Sequence, residues 1–179
     1  DINNDGHPEI ITVDMLPEDP VIQKSSLVDN EYNLFNMKLR YGFSHQYARN
    51  NLQLNRRNGM FSEIAFYAGV SATDWSWAPL FADFDNDGKK DLFISNGIPK
   101  RFNDIDFINF ISNEQIQAKI RDNSVSEEDL AIIHKFPEVK LHNKFFRNNG
   151  ELKFKDLGDA VVNDKASYSN GAVYADFDN

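Results

Sequence analysis

The chain contains no cysteine, which removes disulfides and any thiolate chemistry from consideration. No apolar run approaches the roughly 20 residues that a membrane-crossing helix requires. Basic residues are in the minority, 19 Lys and Arg against 28 Asp and Glu. The resulting net charge of −9 argues against nucleic acid or an anionic membrane surface as partner. The histidines, His7, His45, His134 and His142, show no metal-ligand spacing such as a pair four apart on a helix. A secretion signal is absent too, but the chain opens inside a motif, so that absence carries no weight. What remains is globular: 179 residues, 41% hydrophobic and 13% aromatic, enough for one ordinary domain with a sizeable core.

Much of the acid is concentrated in short loops. The clearest is Asp83-Phe84-Asp85-Asn86-Asp87-Gly88-Lys89-Lys90-Asp91. A second copy opens the chain as Asp1-Ile2-Asn3-Asn4-Asp5-Gly6-His7-Pro8-Glu9, and the chain ends on Asp176-Phe177-Asp178-Asn179, the start of a third. Oxygen ligands at positions 1, 3, 5 and 9, with a backbone carbonyl at position 7, suit a hard cation of calcium's size. In the second loop Asp83, Asp85, Asp87 and Asp91 are the expected side-chain ligands and Lys89 the carbonyl. In the first, Asp1, Asn3, Asp5 and Glu9 take those parts, with the carbonyl of His7. Asp176 and Asp178 begin the third set. Without a cation, clustered carboxylates repel one another and raise their pKa values or splay the loop. Asn3 removes one charge, so the first site is expected to bind more weakly.

An EF-hand would need a bidentate Glu at position 12 and flanking helices. Position 12 is Thr12 in one copy and Ile94 in the other, both in β-type runs, so that reading fails. A dockerin-type loop fails on the same position. Magnesium fits less well, because it demands tighter octahedral geometry and keeps its waters.

The loops belong to a larger repeat. Asp1 and Asp83 are 82 apart, and Asp83 and Asp176 are 93 apart. A shift of 93 also places Phe61 on Phe154, Glu63 on Asp156, Trp75 on Tyr168 and Asn50–Asn55 on Asn143–Asn148. Such self-similarity signals stacked or radial architecture. Each unit reads as four strands: Trp75–Ala82, Leu92–Ser95, Asn143–Arg147 and Leu152–Asp156 in the complete copy. Asn149-Gly150 and Asn58-Gly59 mark hairpin turns. The fold class expected is mainly β, a partial β-propeller of about two four-stranded blades with helical insertions. The units fall at 1–67, with an insertion at about 17–49, at 68–160, with a helical insertion at about 98–142, and at 161–179, the start of a third. Within the insertions, Tyr32–Tyr47 is expected to be partly helical and broken at Gly42. Ser126 and Asp129 form a capping box that opens a helix through Leu130, Ile133 and Phe136. Such insertions either cap strand edges or carry binding.

The stretch Asp83–Asp91 followed by Leu92-Phe93-Ile94-Ser95-Asn96-Gly97, with Asn148-Asn149-Gly150 and Phe154, resembles the FG-GAP/VCBS repeat of integrin-α-type β-propellers. Trp75-Ser76-Trp77-Ala78-Pro79-Leu80-Phe81-Ala82-Asp83 is similar to bacterial secreted VCBS-repeat proteins of the ASPIC/UnbV, cartilage-acidic-protein-like type. The resemblance covers about two blades. It implies a calcium-binding propeller segment that is extracellular, on the cell surface or periplasmic, with the remaining blades of the same chain as neighbours. The scaffold hosts adhesins, sugar binders and some lyases, so the expected role is binding a protein or glycan ligand, while charge and hydropathy exclude a nucleic-acid partner and membrane insertion. The alternative it leaves open is part of a calcium-dependent carbohydrate-active enzyme of polysaccharide-lyase type. No catalytic residue stands out: Asp104 and Asp106 read as helix-start acids that suit the dipole. Trp75 and Trp77 read as a sugar platform or, given Tyr168 in the matching slot, as wedges between blades. His45 lies in an aromatic stretch that either packs or lines a pocket.

Overall fold

A computed structural model describes residues 1–27, 32–129, 131, 136, 138–161 and 164–175. In chain order the elements are β1 (Ile10–Thr12), α1 (Pro20–Ser25), α2 (Tyr32–Arg40), β2 (Asn51–Asn55), β3 (Phe61–Glu63) and α3 (Ala65–Ala68). They continue as β4 (Ser76–Ala82), β5 (Asp91–Asn96), α4 (Ile105–Ile111), α5 (Glu114–Arg121), β6 (Lys144–Asn148) and β7 (Phe154–Asp156). The molecule is mainly β, with two antiparallel sheets ordered β1-β2-β3 and β4-β5-β6-β7.

The sequence repeat is reproduced in strand register. Ile10 pairs with Gln53 and Gln53 with Glu63. At the shifted positions, Leu92 pairs with Phe146 and Phe146 with Asp156. The first sheet therefore corresponds to β5, β6 and β7 of the second. Hairpin turns at Gly59 and Gly150 have φ of +80°, which glycine adopts without steric cost.

Residues directly opposite across an antiparallel pair share a face. The first sheet turns Leu52 and Ile11 toward the core, and the second turns Leu92, Ile94, Phe146 and Phe154. By the repeat, Leu52 corresponds to Phe145, which lies on the opposite face of the second sheet from Phe146. The two units thus meet front to back, each through a different face. Ala65, Ala68 and Val70 on and just beyond α3, and Ile2 of the first loop, complete this core. Leu52, Leu92 and Ile94 are fully buried, and each contributes about 1.5–3 kcal/mol by leaving water. The free face of the second sheet carries Phe93 and Phe145, ring centroids 4.7 Å apart. Ala172 and Val173, from the segment that begins the next unit, line the same surface depression.

The insertions are tied to each other and to the sheets. Asp104 caps α4 by accepting from the backbone N–H groups of Asp106 and Phe107, the helix-start role expected for it. Ser126 and Asp129 bond reciprocally, Ser126 N to Asp129 Oδ2 at 2.9 Å and Asp129 N to Ser126 Oγ at 3.3 Å, as a capping box does. Leu130 and Ile133 of that expected helix lie outside the described residues, as does His134. The expected break at Gly42 falls two residues after the end of α2, at φ +82°. The N–H of Leu27 donates to Asn103 O at 2.7 Å, and Arg101 grips both oxygens of Asp74 at 2.7 and 2.8 Å, so the two insertions meet.

Trp75 and Trp77 are not same-face neighbours of one regular strand. Trp75 precedes β4, and the register shifts between Ser76 and Ala78, which breaks the alternation. Trp77 is half-exposed, and its indole N–H donates to Gly97 O at 2.7 Å.

Candidate metal centres

The two acidic loops fold alike, residue for residue. Asp1 sits at position 1 and accepts from the N–H of Asp5 at 3.0 Å and of Gly6 at 2.8 Å. Asp83 accepts from Asp87 at 3.1 Å and Gly88 at 2.9 Å. Position 5 bonds forward in both copies: His7 N to Asp5 Oδ1 at 2.8 Å, and Lys89 N to Asp87 Oδ1 at 2.9 Å. Position 9 reaches back to position 2: Ile2 N to Glu9 Oε2 at 2.8 Å, and Phe84 N to Asp91 Oδ2 at 3.2 Å. Asn4 and Asn86 both take positive φ, +55° and +58°, and Gly6 and Gly88 follow at +82° and +84°. Alternating acids with a left-handed pair at positions 4 and 6 close the chain around its own carboxylates.

In the second loop, carboxylate oxygens of Asp83, Asp85 and Asp91 all lie within 4.8 Å of one another. Two oxygens on opposite sides of a calcium ion stand about 5 Å apart, so this donor set fits such a cation. Asp87 lies outside that group and is held by basic neighbours. Its Oδ1 takes the Lys89 N–H, and its Oδ2 pairs with Lys89 Nζ at 3.1 Å and Arg147 at 3.7 Å. The backbone N–H of Lys89, then its ammonium, hold the Asp87 carboxyl below the usual range. In the first loop, Glu9 is buried to 0% side-chain exposure, yet its Oε1 has no hydrogen-bond partner among the described residues. A buried carboxylate oxygen without a donor is costly, and a cation is one way to satisfy it. Asn3 and Asp5 are held together by Asn3 Nδ2 to Asp5 Oδ2 at 3.0 Å. Asp176 and Asp178 lie outside the described residues.

Reading the loops alone missed four residues that hold them. Asn55 and Asn148 occupy the same repeat position. Each donates its amide to the position-8 carbonyl, Asn55 to Pro8 O at 3.3 Å and Asn148 to Lys90 O at 3.0 Å. Their match under the 93-residue shift was a usable signal. Arg57 binds Asp5 at 2.7 Å, and its hydrogen bond is the main reason the Asp5 carboxyl stays below its ordinary value. Arg147 binds Asp85 at 2.8 Å. These arginines come from different repeat positions, Arg57 from the hairpin turn and Arg147 from β6, so no alignment of the copies links them.

No curated protein and no solved structure matches the chain. Residues 41–94 match the FG-GAP-like repeat. The matched segment runs from β2 and β3 of the first sheet through β4 and the second acidic loop into β5, so it spans the junction of the two sheets. That match supports an FG-GAP repeat family for this part of the chain.

Proposed function

We propose that the chain is a calcium-binding segment of a β-propeller in a secreted or cell-surface protein, where it serves binding to a protein or glycan rather than catalysis. The observation that carries the cation half is the convergence of Asp83, Asp85 and Asp91 in a loop whose hydrogen bonding is duplicated by the first. Asp83, Asp85 and Asp91 would hold the ion in the second loop, and Asp1, Asn3 and Glu9 in the first. Lys89 and His7 are the expected carbonyl ligands, and Asp5 and Asp87 shape the loops through their forward bonds. A bound cation would neutralise the carboxylates and fix the link between β4 and β5.

Supporting the propeller, the two units repeat in register and meet front to back, as successive blades do. Extracellular calcium modules bind at about 10⁻⁴–10⁻³ M, which matches calcium levels outside cells and leaves them empty in cytosol. Isothermal titration with calcium and magnesium tests the reading. Heat of binding for calcium at millimolar concentration supports it; no binding rejects it.

A further inference from the structure

Away from the acidic loops, the two insertions and the free face of the first sheet border an open cleft of about 680 Å³, within the range of small-molecule sites. Thr12, Asn51 and Gln53 of β1 and β2 form one wall. Their repeat counterparts are Ile94, Lys144 and Phe146, of which Ile94 and Phe146 are core residues at 0% and 2% exposure. Two hydrogen-bonding side chains therefore stand where the second unit places buried hydrophobes. Neither the Thr12 nor the Gln53 side chain has a hydrogen-bond partner among the described residues.

The second insertion contributes Asn103, whose Oδ1 is buried with no partner among the described residues. Among the described residues its amide nitrogen has only the weak acceptor Met15 Sδ, at 4.0 Å. On the remaining side, Tyr47 and His45 flank Phe35 at centroid distances of 5.9 and 5.7 Å and make an aromatic wall. Amides and hydroxyls that both donate and accept, set beside an aromatic face, match a ligand that carries hydroxyls around an apolar ring. Charged lining groups are of both signs, Asp14 against Lys38, so the wall does not select an anion.

We propose that this cleft is a carbohydrate-binding site, in which Thr12, Gln53 and Asn103 bond sugar hydroxyls and Tyr47 packs against the ring. The proposal rests on the binding half of the function above and not on its cation half. Saturation-transfer NMR and calorimetry with methyl glycosides of glucose, galactose, mannose and N-acetylglucosamine test it on the whole chain with calcium present. At least one glycoside is expected to bind, with saturation transferred from Tyr47 ring protons. Asn103→Ala should weaken that binding at least tenfold, and so should the pair Thr12→Ile and Gln53→Phe, which restores the residues of the second unit. Melting curves identify a variant that has simply unfolded, and the Tyr47 transfer in the unsubstituted chain needs no variant.

Absence of binding by every glycoside overturns the proposal, as does binding that both variants leave unchanged. Self-association that shields Tyr47 overturns it as well, by making the cleft an inter-unit contact. A calcium titration on the same sample separates the two readings. A calcium response without glycoside binding removes this site alone, and glycoside binding without a calcium response removes the cation reading alone.

Discussion

The side-chain amide of Asn148 donates to the carbonyl of Ile2 at 2.8 Å, joining β6 of the second unit to the first acidic loop across 146 residues of chain. The same amide reaches Lys90 O in the second loop, and the Asn148 N–H donates to Asp91 Oδ1 at 2.8 Å. Asn4 Nδ2 adds a second link by donating to Gly88 O at 2.8 Å. One buried asparagine therefore positions residues of both loops.

Replacing Asn148 by Ala removes the donor from the buried Ile2 carbonyl and from the half-buried Lys90 carbonyl. The expected loss is about 2 kcal/mol of unfolding free energy, at the cost usually seen for unsatisfied buried groups. Asn55→Ala, which breaks a longer and more exposed bond at 3.3 Å, should cost clearly less. Urea denaturation of the two variants checks the order; equal losses would contradict the bridging role.

Gly97 is held against the segment that begins the next unit. A Cβ there would lie 2.5 Å from Tyr168 Cα and 2.8 Å from Ser167 O and Ser169 N, all backbone atoms. Gly97→Ala should therefore displace residues 167–169 and cost about 3 kcal/mol, as overpacking does. Gly88→Ala meets no atom within 4 Å and pays only for its φ of +84°, about 1–2 kcal/mol. Thermal melts of the two variants compare these costs, and hydrogen exchange at Ser169, whose N–H donates to Asn96 O, reports the local displacement.

Asp129 offers a pH test outside the loops. The Lys119 ammonium, at 2.6 and 2.9 Å, and the Ser126 N–H and hydroxyl hold its carboxyl at about 2, below its ordinary 3.8. A depressed carboxylate stabilises the fold fully above its unfolded value, and that contribution disappears as pH falls through about 2. A carboxyl-carbon NMR titration should place the Asp129 midpoint near 2 and, after Lys119→Ala, closer to 3.8.

The charge difference between the loops predicts their relative affinities, because ligand charge tunes calcium binding. Asn3→Asp should strengthen the first site by about tenfold, roughly 1.4 kcal/mol. Asp85→Asn should weaken the second by a similar factor. Calorimetry resolves the two sites.

Much of this was legible in the sequence because its signals are local. The Asn-Gly turns, the period-two runs and the acidic loops fixed the strands from β4 to β7 within a residue or two. The short α1 and α3 escaped, since helices of six and four residues leave no periodic stripe. Which face each sheet turns inward was hidden as well. Leu52 and Phe146 are adjacent columns of one repeat, and only the packing of units decides which is buried. The carboxylates were found by spacing, whereas Arg57 and Arg147 reach their loops from non-equivalent positions.

The most direct test of the cation reading is the melting temperature of the chain in chelator and in millimolar calcium. Two sites of extracellular affinity contribute about 1–2 kcal/mol each, so the predicted rise is roughly 4 to 15 °C. It should shrink in a variant carrying Asp83→Ala with Asp1→Ala. An unchanged melting temperature across that range of calcium would contradict the account.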